Sequence, residues 1–99
     1  MPFNYHGNRS FTAVSIENNA PAASGVYGLA DAGGWIYIGT AANIKAELRK
    51  HLERPSPFLK SHRPTGFTFE FCAEEHRAER QSQLVEELRP IANREAGQL

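Results

Sequence analysis

The sequence predicts a small α/β domain of the α+β kind: a three-stranded antiparallel sheet flanked by helices, in the order β-β-α-β-α. Three observations carry this. Residues 26–30 and 35–39 alternate like strands on either side of the turn "DAGG" at 31–34. "FTFEF" at 67–71 alternates again, with Phe67, Phe69 and Phe71 on one face and Thr68 and Glu70 on the other. Two stretches with helical period, 41–53 and 75–89, follow the hairpin and the third strand.

Taken in order, residues 1–20 read as an N-terminal extension and 21–99 as the domain. "FTAVSI" in the extension is a short extended or helical element, and "NNAPAAS" is a loop. In the hairpin, Tyr27 and Leu29 share a face, as do Trp35, Tyr37 and Gly39, while Ile36 and Ile38 take the opposite face toward the core. Asn43 or Thr40 caps the first helix, and Pro55 and Pro57 end it. "PSPFLKSHRPTG" is a loop with a basic second half. The second helix stops near Pro90, and residues 91–99 hold one more helical turn.

Ninety-nine residues make one domain, which buries roughly two thirds of its unfolded surface. Eleven Lys and Arg balance eleven Asp and Glu, so no global field selects nucleic acid or membrane. Locally the chain is less even. Lys45, Arg49, Lys50, Arg54, Lys60 and Arg63 make the middle basic, and the C-terminal third is acidic. Such a stretch is either a solvated helix face or an anion-binding surface. The single cysteine, Cys72, excludes an internal disulfide and a cysteine-based zinc site, and its place after an apolar run suits a buried small hydrophobe. No apolar run is long enough to span a membrane, and "MPFNYHGNRS" lacks a signal-peptide core, so the expected compartment is the cytoplasm.

Both helices aim polar side chains inward. Ile44, Leu48 and Leu52 form the stripe of the first. At about 100° per residue, Glu47 and His51 flank that stripe one turn apart, close enough to touch. On the second helix Leu84, Val85 and Leu88 form the stripe, and Gln81 falls in its middle. A polar group there needs hydrogen-bond partners or a wet cleft, since burial without them costs roughly 1–3 kcal/mol. The tyrosine-bearing strands add a third set of polar groups.

At these residues the sequence resembles the GIY-YIG endonuclease superfamily, over residues 21–93. Gly25-Val26-Tyr27 matches the first motif and Tyr37-Ile38-Gly39 the second. His51 lies fourteen residues after Tyr37, where His or Tyr is usual. "LVEELRPIAN" resembles the closing segment, with Pro90 and Asn93 at the familiar spacing. The resemblance implies one-metal hydrolysis of a DNA phosphodiester, with Mg²⁺ or Mn²⁺ as the ion. It implies a motif tyrosine that helps activate water, a first-helix arginine that stabilises phosphate charge, and a second-helix glutamate that holds the cation. Tyr27, Tyr37, His51 and Asn93 are the matching catalytic positions. Two positions depart. Glu47 stands at the arginine position, and Gln81 stands at the metal-binding glutamate position. Thr40 also stands where relatives often carry lysine. Lys50 is the nearest cation on the side of Glu47, but it is neither planar nor bidentate. A carboxylate in place of the arginine repels phosphate, and the Gln81 amide brings no negative charge. Glu47 is the candidate substitute for holding the metal.

Three functions compete. One is a nuclease-fold domain with impaired or lost phosphodiesterase activity, binding nucleic acid through Lys45–Arg63 or binding a protein, and needing no metal. The second is an active divalent-metal-dependent DNA endonuclease with a rearranged site. The third is an interaction protein, a homodimer or a subunit of a larger system.

Overall fold

The computed structural model describes residues 9–94. Among them the chain runs β1 (Arg9–Ser10), α1 (Ala13–Asn19), β2 (Gly25–Asp31), β3 (Gly34–Ala41), α2 (Ile44–Glu53), α3 (Pro57–Ser61), β4 (Gly66–Phe71), α4 (Glu74–Leu88) and α5 (Ile91–Arg94). The sheet is antiparallel throughout, with strand order β1-β4-β2-β3. It has four strands rather than the three expected. The fourth is β1, whose two residues pair with Phe67 and Gly66 and are too few to show an alternation in the sequence.

Short elements were also hidden elsewhere. The stretch 55–66, read as a loop, contains α3. Ser56 caps it by accepting the Leu59 amide at 3.3 Å, Pro57 occupies the first turn where no amide partner is needed, and Leu59 is buried. "FTAVSI" resolves as α1, capped by Thr12. Asn43, not Thr40, caps α2, with its Oδ1 accepting the Ala46 amide at 3.0 Å. At its other end α4 stops on Arg89 in the left-handed region, one residue before Pro90. Of the expected tail, residues 91–94 form α5, and the rest lies outside the described residues.

The sheet is covered on both faces. One face packs Tyr27, Leu29, Ile36, Phe67 and Phe69 against Ile16 of α1, Ile44 and Leu48 of α2, and Leu59 of α3. The other packs Val26 and Ile38 against Leu84 of α4, with Val85, Leu88 and a half-buried Cys72 at the margin. Ile36 and Ile38 therefore lie on opposite faces, contrary to the alternation expected. The register explains it: Leu29 pairs with Tyr37 and Ala30 with Trp35, so Ile36 is the extra residue of a β-bulge. A bulge places two consecutive side chains on one side of the strand. Ile36 and Tyr37 both join the α2 face, and Ile38 then turns to α4. The bulge sets the second motif tyrosine beside the first.

Candidate functional site

Tyr27 lies on β2, an inner strand hydrogen-bonded on both sides, between Gly39 of β3 and Phe69 of β4. Its side chain crosses Gly39. A Cβ at position 39 would come within 2.6 Å of Tyr27 Oη and 2.7 Å of Tyr37 Cε2. The glycine of the second motif is there because two tyrosine rings occupy its side-chain space. Gly25 has the same kind of reason, since a Cβ there would strike the Glu70 carbonyl oxygen and the Ile44 side chain.

Three rings meet against α2. Tyr27 and Tyr37 are 6.1 Å apart and edge-to-face, and His51 lies 5.7 Å from the first and 5.9 Å from the second. Tyr27 Oη is 2.7 Å from His51 Nε2. Glu47, one turn earlier on α2, places Oε2 3.9 Å from the same nitrogen. The i,i+4 spacing thus brings Glu47 and His51 together as the sequence implied. The pair is not a relay, because the carboxylate and the phenol converge on one ring nitrogen instead of lying on either side of the ring.

The electrostatics follow from burial. Desolvation pushes the Tyr27 phenol far above its ordinary value, and Tyr37 and Glu47 add to the rise. Desolvation also raises Tyr37, again with Glu47 adding. His51 is lowered by desolvation and by Lys50, with Glu47 opposing. At neutral pH both phenols keep their protons, and Tyr27 Oη and His51 Nε2 share one hydrogen bond. A buried phenol of this kind accepts a proton from water only by passing its own to His51. Glu47 would then stabilise the imidazolium.

Gln81 and Asn93 take a different place. Both reach the open edge of β3 at Ile38. The Ile38 N–H donates to Asn93 Oδ1 at 2.8 Å, and the Ile38 carbonyl accepts from Asn93 Nδ2 at 3.0 Å and from Gln81 Nε2 at 2.9 Å. The polar residue in the apolar stripe of α4 therefore has a partner on the strand edge, one residue from Tyr37. These side chains also line an open groove of about 560 Å³ with Val85, Glu86 and Arg89.

The six basic residues divide into two groups. Lys45 and Arg49 pair with Glu17 of α1, at 3.5 and 3.6 Å, and Arg49 also approaches Glu53. Lys50, Arg54, Lys60 and Arg63 make no ion pair among the described residues. Sequence reasoning missed Glu17, for which no local pattern speaks. It also missed Arg80, whose guanidinium grips the buried Glu70 carboxylate through two bonds of 2.6 and 3.0 Å. A charged residue inside the alternation of β4 was the signal for that pair.

Comparison with solved structures gives crystal structures of the GIY-YIG N-terminal endonuclease domain of UvrC from Thermotoga maritima. The magnesium-bound domain superimposes with a TM-score of 0.65 at 23% identity, over 77% of this chain and 92% of that one. An asparagine-to-alanine mutant bound to its catalytic divalent cation gives 0.65 at 23%, over 77% and 91%. A tyrosine-to-phenylalanine mutant gives 0.64 at 23%, over 77% and 91%. This chain has the GIY-YIG fold. No protein-family model and no curated protein matches it. Within the GIY-YIG frame, Tyr27, Tyr37 and His51 form one cluster, with Glu47 against it, while Gln81 of α4 and Asn93 of α5 bond to the edge strand β3.

The donor chemistry fits a divalent cation poorly at Gln81. Hard cations of the Mg²⁺ type take carboxylate oxygen, whereas Gln81 is neutral and its Nε2 is committed to Ile38. Among the described residues no three His, Cys, Asp or Glu side chains gather into a metal-binding group. Also among them, no helix is long and apolar enough to cross a membrane.

Proposed function

We propose that this GIY-YIG-fold domain binds nucleic acid and that its phosphodiester hydrolysis is impaired. The observation that carries the reading is the pair of departures, Glu47 and Gln81, seen with their neighbours. Glu47 brings negative charge to His51 and both tyrosines, where a dianionic transition state needs positive charge. Gln81 spends its amide holding α4 to β3. Losing one catalytic electrostatic group costs about 10²–10³-fold in rate, and two compound the loss. The four unpaired cations supply the affinity for a polyanion.

The test incubates the protein with supercoiled plasmid and labelled oligonucleotides in Mg²⁺, Mn²⁺ or EDTA, beside the Glu47→Arg, Gln81→Glu double variant. A silent natural protein and a cutting double variant support the reading. Metal-dependent nicking by the natural protein that Tyr27→Phe abolishes overturns it. That result would favour the second reading, an active endonuclease with Glu47 as the metal's carboxylate. One observation speaks for it: the Tyr27–His51 hydrogen bond gives a water-activating phenol somewhere to send its proton.

A further inference from the structure

We infer that the cleft between α2, α3 and the segment entering β4 is a subsite for one pyrimidine base of a bound strand. The inference rests on the nucleic-acid-binding reading and adds a base preference to it. The cleft is about 160 Å³, and Phe11, Leu52, Pro55 and Leu59 supply apolar walls. A cavity of about 150 Å³ is enough for a benzene ring, so this open cleft matches a single six-membered ring in size. Two of its lining residues are polar in the way a nucleotide requires. Arg63 makes no ion pair among the described residues and carries the charge that a backbone phosphate neutralises. His51 lines the same cleft, and of its ring nitrogens Nε2 is engaged by Tyr27 while Nδ1 has no partner among the described residues. That nitrogen is free to bond the edge of a base. Apolar faces, one edge-reading nitrogen and one cation make up the recognition set for an unstacked base.

The experiment measures fluorescence anisotropy of labelled single strands of equal length and charge: oligo-dT, oligo-dA and a fully abasic strand, at fixed salt in EDTA. The expected result is oligo-dT binding about ten-fold more tightly than the other two, since a seated base contributes on that order. The second measurement follows the His51 ring resonances by NMR on adding thymidine monophosphate or adenosine monophosphate. The expected result is a saturable shift with the thymidine nucleotide that the adenosine nucleotide does not match. Equal affinity for the three strands overturns the subsite and leaves nucleic-acid binding standing. A dT preference with unmoved His51 resonances also overturns it, because the base then sits elsewhere. No binding to any strand overturns the subsite together with the reading it rests on.

Discussion

A methyl group at position 39 would sit 2.6 Å from the Tyr27 hydroxyl oxygen and 2.7 Å from a Tyr37 ring carbon. The Tyr27 ring is not the free end of a flexible chain, because it is 1% exposed and bonded to His51. Gly39→Ala should therefore lower unfolding free energy by about 1–3 kcal/mol, the cost of overpacking, read from urea denaturation. Gly33→Ala is the control: its Cβ would meet only Asp31 Oδ1, at 3.3 Å, so its midpoint should barely move. The same cluster sets a pH dependence. Both phenols are raised above the ordinary tyrosine value of about 10, so the stability they contribute is fully present below pH 10 and is lost as pH rises above it. His51 is lowered from 6.5, so its contribution is present above pH 6.5 and is lost as pH falls toward its lower folded value. Thermal melts across pH 4 to 11 should show both flanks, and His51→Phe should flatten the acid one. At this scale the sequence was most legible. Helical spacing brought Glu47 to His51, and the resemblance to the GIY-YIG motifs singled out Tyr27 and Tyr37, because a motif and a helical turn are local. The Tyr27–His51 bond was not legible, since it joins positions whose approach depends on how α2 packs on the sheet.

The edge of β3 at Ile38 shows how elements are fastened. Asn93 on α5 pairs with both the N–H and the carbonyl of Ile38, and Gln81 on α4 adds a second donor. Asn93→Ala should cost about 1–3 kcal/mol, because it leaves a backbone donor unsatisfied, and should raise amide exchange at Ile38. Gln81→Glu, one half of the reverting double variant, removes a donor and sets a carboxylate against a carbonyl. It should destabilise the domain in EDTA by a similar amount, with Mg²⁺ restoring part of the loss where the new carboxylate finds the ion. A urea titration with and without Mg²⁺ reads both. The sequence showed that Gln81 needed a partner, and its place in the apolar stripe required one. The identity of that partner was hidden because it is a backbone group on an edge strand, which has no sequence signature. Likewise β1 and α3 escaped the reading because two and five residues carry too little periodicity. The bulge at Ile36 escaped because its effect shows only in the pairing register.

Across the whole molecule, neutrality conceals a division of charge. α1 uses Glu17 to neutralise Lys45 and Arg49, which takes two of the six middle cations out of play. Lys50, Arg54, Lys60 and Arg63 make no ion pair among the described residues, and in the nucleic-acid-binding reading they are the ones that meet phosphate. Counterion release then predicts the salt dependence. Each phosphate neutralised on a single strand contributes a slope of about −0.7 in log K against log [salt], so four cations set a limit near −3. Replacing Lys50 and Arg54 with Gln should bring that slope up by about 1.4. Replacing Lys45 and Arg49 should change it far less, because those charges already have partners. Anisotropy titrations of a labelled single strand from low to moderate NaCl measure all three slopes. A flat salt dependence in the natural protein would mean that the four cations meet no phosphate. The basic face would then be a solvated surface, and the retained GIY-YIG fold would have to be explained by a protein partner or a second copy. If instead the slope is steep and the two pairs of substitutions separate as stated, Glu17 has a definite role. Placed on the first helix, it sets how much of the basic face remains open to nucleic acid.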